Sequence, residues 1–278
     1  IARPSWATAL ATAASIIGVT LVLASVLGDA DALRVAKIFG LALIALSLVP
    51  LTGFGGQVSL CQMSFAAIGA MVMAHHGSSG QPIALLYAGV VCGVVGALIA
   101  LPALRLSGIY LALSTAAFAV FLDRWVFNLA AFDLGPWTIR LFDLGIIAVP
   151  PVDLPGIDGA DRPTQLVVLS VVFALMYLLV VAVRRSGFGD RLLAMKDSPA
   201  ACATLGLDVT RLKLAVFALS AAMAGVGGAL YAGTQGSVSP ERFALFESLP
   251  LLLLAVVGGI GSAAGALHDR RIPVRRST

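Results

Sequence analysis

Residues 38–104 read IFGLALIALSLVPLTGFGGQVSLCQMSFAAIGAMVMAHHGSSGQPIALLYAGVVCGVVGALIALPAL, and no Asp, Glu, Lys or Arg interrupts these 67 positions. A charged side chain at mid-bilayer costs about 2.5–3.5 kcal/mol on insertion scales, so a run this long without charge is written for hydrocarbon. About 20 residues, each rising 1.5 Å, cross a core of roughly 30 Å. The stretch therefore holds three passes. Its breaks are Gly53-Phe54-Gly55-Gly56 and the turn-rich Gly77-Ser78-Ser79-Gly80-Gln81-Pro82. The passes fall near 38–52, 57–76 and 82–103; the first two are short, and one of them is a candidate re-entrant segment.

Working outward, further charge-free intervals place spans near 5–28, 107–128, 164–183, 213–234 and 248–267, eight in all. The expected fold is all-α, a polytopic membrane helix bundle forming a single transmembrane domain over residues 1–278. Composition agrees: 59% of the 278 residues are hydrophobic and 12% are charged, against about 25% charged in soluble domains. That balance excludes a soluble enzyme and a disordered chain. The first apolar run is too long for a signal-peptide core. Cys61, Cys92 and Cys202 are odd in number and irregular in spacing, so no disulfide framework or metal motif is expected.

The two long loops carry opposite charge. Residues 184–213 hold Arg184, Arg185, Arg191, Lys196, Arg211 and Lys213 against Asp190, Asp197 and Asp208, a net +3. Residues 129–163 hold Asp133, Asp143, Asp153, Asp158 and Asp161 against Arg140 and Arg162, a net −3. Excess Lys and Arg marks the cytoplasmic side, which puts the first loop inside, the second outside and both chain ends inside. The outer loop is rich in Pro and Asp and predicts extended or turn structure, with Trp125 and Trp137 as interface anchors. Small residues mark packing faces: Gly89 with Gly93, Gly261 with Gly265, and Ala112, Ala116 and Ala119.

The inner loop has its own helix signals. Ser198 suits an N-cap, Pro199 the first helical position, and Gly206 the left-handed position after Ala200–Leu205. A second short helix is expected over 190–196, with Leu192, Leu193 and Met195 apolar. An Ala-rich capped helix on a basic platform fits either a partner's groove or an anionic lipid surface.

At this point the chain resembles a family. The loop RSGFGDRLLAMKDSPAACATLGLDVTRLK (Arg185–Lys213) looks like the coupling-loop signature of the branched-chain amino acid ABC transporter permeases of LivM type. FALSAAMAGVGGALY (Phe217–Tyr231), Ser239-Pro240 and VGGIGS (Val257–Ser262) continue the pattern. Nearer the front, GQVSLCQMSFAAIGA (Gly56–Ala70) and LRLSGIYLAL (Leu104–Leu113) resemble two further signatures, all in collinear order. The resemblance implies a pore-forming subunit of an ATP-driven importer in the bacterial inner membrane. Its implied partners are two cassette ATPases, a second, LivH-like permease and an extracytoplasmic solute-binding protein. It also implies that Ala194–Leu205 is the coupling helix, with Ala194, Lys196, Asp197, Ser198, Ala200, Ala201, Thr204, Leu205 and Gly206 facing the ATPase. Cys61 stands where the family usually has Gly, which puts the close helix approach there in question.

No catalytic constellation is present. His75 and His76 are adjacent, so on a helix they diverge by about 100° and cannot share a metal as i, i+4 ligands do; they read as interfacial polar residues. The densest polar membrane sequence is Gln57, Ser59, Gln62 and Ser64. On a helix, Gln57, Cys61, Ser64 and Ile68 would share one face and line a path for a zwitterion with neutral donors and acceptors. The competing role is helix–helix hydrogen bonding, worth about 0.6 kcal/mol per pair. Ser114, Thr115 and Ser220 are further path candidates, although Ser and Thr often bond back to their own helix. No carboxylate lies deep in a span, as an ion-coupled transporter would require. No GxxxxGK(S/T) occurs, so ATP is expected on a partner and no cofactor or nucleic acid on this chain.

Two other readings stay open: a permease for urea or short amides, and an ATP-independent transporter or channel. After Gly265 the apolar pattern gives way to a basic tail, residues 268–278, with four Arg in eleven positions. Family members continue there through further membrane sequence. That contrast, with Ile rather than Met at position 1, predicts an incomplete or frame-shifted chain.

Overall fold

The computed structural model describes residues 5–77, 81–103, 108–127, 132–134, 137–139, 146–153 and 161–257. It is an all-α polytopic bundle. Helices α1 (Trp6–Val26), α2 (Asp29–Leu46), α3 (Gln62–His76), α4 (Ile83–Ala103) and α5 (Ile109–Phe121) form the first part. The second comprises α6 (Arg162–Arg185), α7 (Gly187–Asp197), α8 (Pro199–Thr204), α9 (Val209–Gln235) and α10 (Leu245–Val257). π-helical turns Val49–Phe54 and Leu122–Val126 extend α2 and α5. Among the described residues, six helices are long and apolar enough to cross a membrane: Trp6–Val26, Asp29–Phe54, Ile83–Pro102, Ile109–Val126, Arg162–Arg185 and Val209–Gln235.

Two of the eight expected spans differ. The second is not short, because α2 begins at Asp29 and runs to Phe54 through the π turn. Asp29 and Asp31 fall in its first turn, where carboxylates favour the positive end of the helix dipole, and Arg34 pairs with Asp31 at 3.0 Å on the exposed surface. Counting only charge-free residues cut off that interfacial turn. The third is broken. α3 has 15 residues and spans about 22 Å, short of a bilayer core. Residues 57–61, ahead of it, are non-helical. The eighth span is represented by α10, and residues 258–278, with Gly261, Gly265, His268 and the basic tail, lie outside the described residues.

α9 is the hub. Gly225 and Gly228 lie against α3: a Cβ at Gly69 would fall on the Gly225 backbone, and one at Gly228 on the backbone of Ala66. Gly89 and Gly93 of α4 meet Val226, Ala218 and Ala222, so that GxxxG packs within the chain. The sulfur of Cys92 donates to the Phe65 carbonyl at 3.3 Å. On α5 Ala119 is buried as expected, but it shares the buried row with Leu111, Thr115 and Leu122, while Ala112 and Ala116 are half-buried; Thr115 accepts from the Leu60 N–H. Leu86, Val90, Val94 and Leu98 of α4 are exposed. Such a stripe suits lipid or another membrane subunit, not water.

The ends of the helices sort onto two faces. Arg185 lies 5.3 Å over the ring of Trp6, so the start of α1 and the end of α6 share a face with α7 and α8. On the other face, β1 (Phe132–Leu134) pairs with β2 (Trp137–Ile139), and β3 (Ile147–Ala148) pairs with β4 (Ser237–Val238) just after α9. The loop expected to be extended thus supplies strands, and the basic and acidic loops lie on opposite faces.

Candidate functional site

The non-helical segment 57–61 breaks the third span ahead of α3. Gly56 enters it with φ of 64°, a left-handed conformation open to glycine. Burial then alternates, with Gln57, Ser59 and Cys61 inside and Val58 and Leu60 half-buried. Irregular backbone at membrane depth must find partners for its polar groups. It does: Gln57 N–H donates to the Leu51 carbonyl at 3.1 Å, and the Thr52 hydroxyl donates to the Gln57 carbonyl at 3.0 Å. Leu60 N–H donates to Thr115 Oγ1 at 3.1 Å, Cys61 N–H to Ser59 Oγ at 3.4 Å, and Met63 N–H to Ser248 Oγ at 3.3 Å.

The expected helical face of Gln57, Cys61, Ser64 and Ile68 therefore does not form, because the helix starts only at Gln62. Hydroxyls of Thr115 in α5 and Ser248 in α10 accept from backbone N–H groups here. Cys61 sits outside the helix with its sulfur 3.2 Å from Ser59 Oγ, so its bulk does not meet a close helix crossing.

The structure gives the predicted polar residues different surroundings. Gln62 Nε2 donates to Ser220 Oγ at 2.8 Å, and Ser220 Oγ donates onward to the Ser47 carbonyl at 2.6 Å. Thr115 Oγ1 donates to Ala112 O, and Ser114 Oγ to Leu111 O. Ser64 is buried at the start of α3. Two groups stand apart. Among the described residues, Gln57, only 5% exposed, has no hydrogen-bond partner for either side-chain amide atom, and Gln62 Oε1 has none. Buried amides without partners are costly, and they mark this segment off from a purely structural joint. Gln57 also lines a cavity of about 660 Å³ with Gly56, Ile109, Met195, Lys196 and Lys213.

The basic loop forms a helical pair. Ser186 Oγ accepts from Gly189 N–H to cap α7, and Ser198 Oγ accepts from Ala201 N–H to cap α8, with Pro199 at the first position. Gly206, at φ of 78°, follows α8 as expected. The stretch 194–205 is not one helix: Ser198, at φ −153° and ψ 95°, breaks it. Leu192, Met195 and Cys202 anchor the pair in the core. Ala194, Asp197, Ala200, Ala201, Thr204, Leu205 and Gly206 are exposed, Leu205 to 81%, and Ser198 is half-buried. Lys196 is exposed as well. Its Nζ turns into the protein and donates to the Gly53 carbonyl at 2.9 Å. Sequence reading missed that bond, as it missed Thr52, Ser47 and Ser248, because nothing local signals a partner so distant in the chain.

Among the described residues no group of three His, Cys, Asp or Glu is placed to hold a metal. His75 Nδ1 lies 2.9 Å from Met71 O, and His76 faces Tyr87.

Comparison with known proteins follows the same lines. The family model for the permease component of the branched-chain amino acid transport system matches residues 32–268. The high-affinity branched-chain amino acid transport system permease protein LivM of Salmonella typhimurium is 31% identical over 261 residues, covering 84% of this chain and 59% of that protein. LivM of Escherichia coli K12 is 31% identical over 246 residues, covering 79% and 56%. The fructose import permease protein FrcC of Rhizobium meliloti is 32% identical over 107 residues, covering 37% and 30%. The chain thus spans a little over half the length of the LivM proteins it matches. No solved structure matches it.

Proposed function

This chain belongs to the permease-component family of branched-chain amino acid transport systems, and on that premise we propose that it is a pore-forming subunit of an ATP-driven importer for branched-chain amino acids. It works beside a second, LivH-like permease in the bacterial cytoplasmic membrane, with an external binding protein delivering solute. Two cassette ATPases bind the ATP, and the chain itself holds no cofactor. The α7–α8 face lies in the cytoplasm, as its net positive charge favours.

The observation that carries this reading is the α7–α8 pair, capped at both starts, anchored by three buried side chains and presenting Ala200, Ala201 and Leu205 outward. A loop joining two spans has no need of such order. A small-residue helix with one projecting leucine fits a groove on a soluble partner. Solute passes along the broken α3 segment, where Gln57 and Gln62 offer neutral amides to a zwitterion. Ser59 and Ser64 line the same stretch, while Ser114, Thr115 and Ser220 hold its walls.

Ala201→Glu places a charge in the docking surface. ATPase co-purification and solute uptake are expected to fall at least about tenfold, the effect of burying one unpaired charge at an interface. Permease abundance in the membrane is expected to stay normal. Retained co-purification would contradict docking through α8.

A further inference from the structure

The end of the α2 extension and the end of α7 are joined through the side chain of Lys196. The π turn Val49–Phe54 leaves carbonyls without helical partners at its C-terminal end, where the helix dipole is negative. Lys196, two residues before the α7–α8 break at Ser198, places its ammonium on one of them, Gly53 O, at 2.9 Å. Its stem packs on Gly56, where an added Cβ would come within 2.9 Å of Lys196 Cγ. This bond ties α7 directly to the turn that leads into residues 57–61. From the turn the connection continues: Gln57 is held through its N–H to Leu51 and its carbonyl to Thr52. The cavity of about 660 Å³ beside Gly56, Gln57 and Lys196 leaves room for the turn to shift.

We propose that Lys196 is a positioning residue, a strut that transmits displacement of the α7–α8 pair to the Gly53–Gln57 turn and so to the unwound segment. It acts inward, not on the ATPase surface. The inference rests on the docking role given to α8 above, and it deepens that role by naming how movement reaches the solute path.

Two measurements on the full-length protein test it. The first needs no transport: hydrogen exchange of residues 51–61 in nanodiscs, for wild type, Lys196→Met and Lys196→Arg. Lys196→Met is expected to speed exchange of the Gln57 amide about tenfold, the scale of one charge-assisted hydrogen bond. Lys196→Arg, which keeps a donor, restores part of the protection. Unchanged exchange in Lys196→Met overturns the strut. The second uses the transporter reconstituted with its partners. Lys196→Met is expected to keep the ATPase bound and hydrolysing, while uptake per ATP falls about tenfold. Loss of ATPase co-purification would place Lys196 on the docking face and overturn the proposal. An Ala201→Glu variant that still docks and transports would instead defeat the docking role, with the exchange result left to judge the strut by itself.

Discussion

At the residue scale, Gln57 and Ser220 separate function from stability. Both are buried polar groups in the same region, but Ser220 completes a relay from Gln62 to Ser47, while the Gln57 side-chain amide has no partner among the described residues. Leaving a buried polar group unpaired costs about 1–3 kcal/mol. Gln57→Leu removes that cost and is expected to hold or raise the unfolding temperature in detergent while solute flux falls. Ser220→Ala strands the Gln62 amide and is expected to lower stability by about 1–2 kcal/mol, toward the upper end for membrane hydrogen bonds. If Gln57→Leu unfolds as readily as Ser220→Ala, Gln57 is a structural residue. The sequence already singled out these polar positions. It did not distinguish the paired from the unpaired, because Ser220 and Ser47 reach Gln62 only through tertiary packing.

At the element scale, the crossing of α3 and α9 carries the bundle. Gly69 and Gly228 admit backbone against backbone, and no flexible side chain stands in the way to yield. Gly69→Val is expected to cost about 3 kcal/mol, high for overpacking, and to reduce the folded yield sharply. Gly18→Ala on α1 meets nothing within 4 Å and serves as the neutral control. Similar losses in both variants would mean that glycine content, not close approach, governs stability. Much at this scale was readable in advance. Ser198, Pro199 and Gly206 gave the bounds of α8, since capping is local chemistry. The break at 57–61 was not readable as a helix end, because its stabilising hydroxyls, Thr115 and Ser248, belong to other elements. The start of α2 was missed for the opposite reason: Asp29 and Asp31 are favourable at a helix start yet resemble a loop when charge alone is counted.

At the scale of the whole molecule, the two faces follow from the fold, and the proposed orientation rests on the positive charge of the α7–α8 loop. All three native cysteines are buried, so single added cysteines report cleanly. Ser198→Cys is expected to react with an impermeant maleimide only after lysis, and Ser237→Cys, in β4 on the opposite face, in intact spheroplasts. The reverse pattern would invert the orientation while leaving the fold intact.

The central claim is that this chain moves solute only when a partner hydrolyses ATP on the α7–α8 side. The direct measurement is uptake of labelled leucine by proteoliposomes holding the full-length protein with its second permease, ATPase and binding protein. ATP is supplied on the face bearing Ser198, with Ala201→Glu in parallel. Accumulation that requires ATP, the binding protein and an intact α8 is the predicted result. Leucine entry that proceeds equally without ATP, or is untouched by Ala201→Glu, would contradict it and favour a channel or secondary transporter.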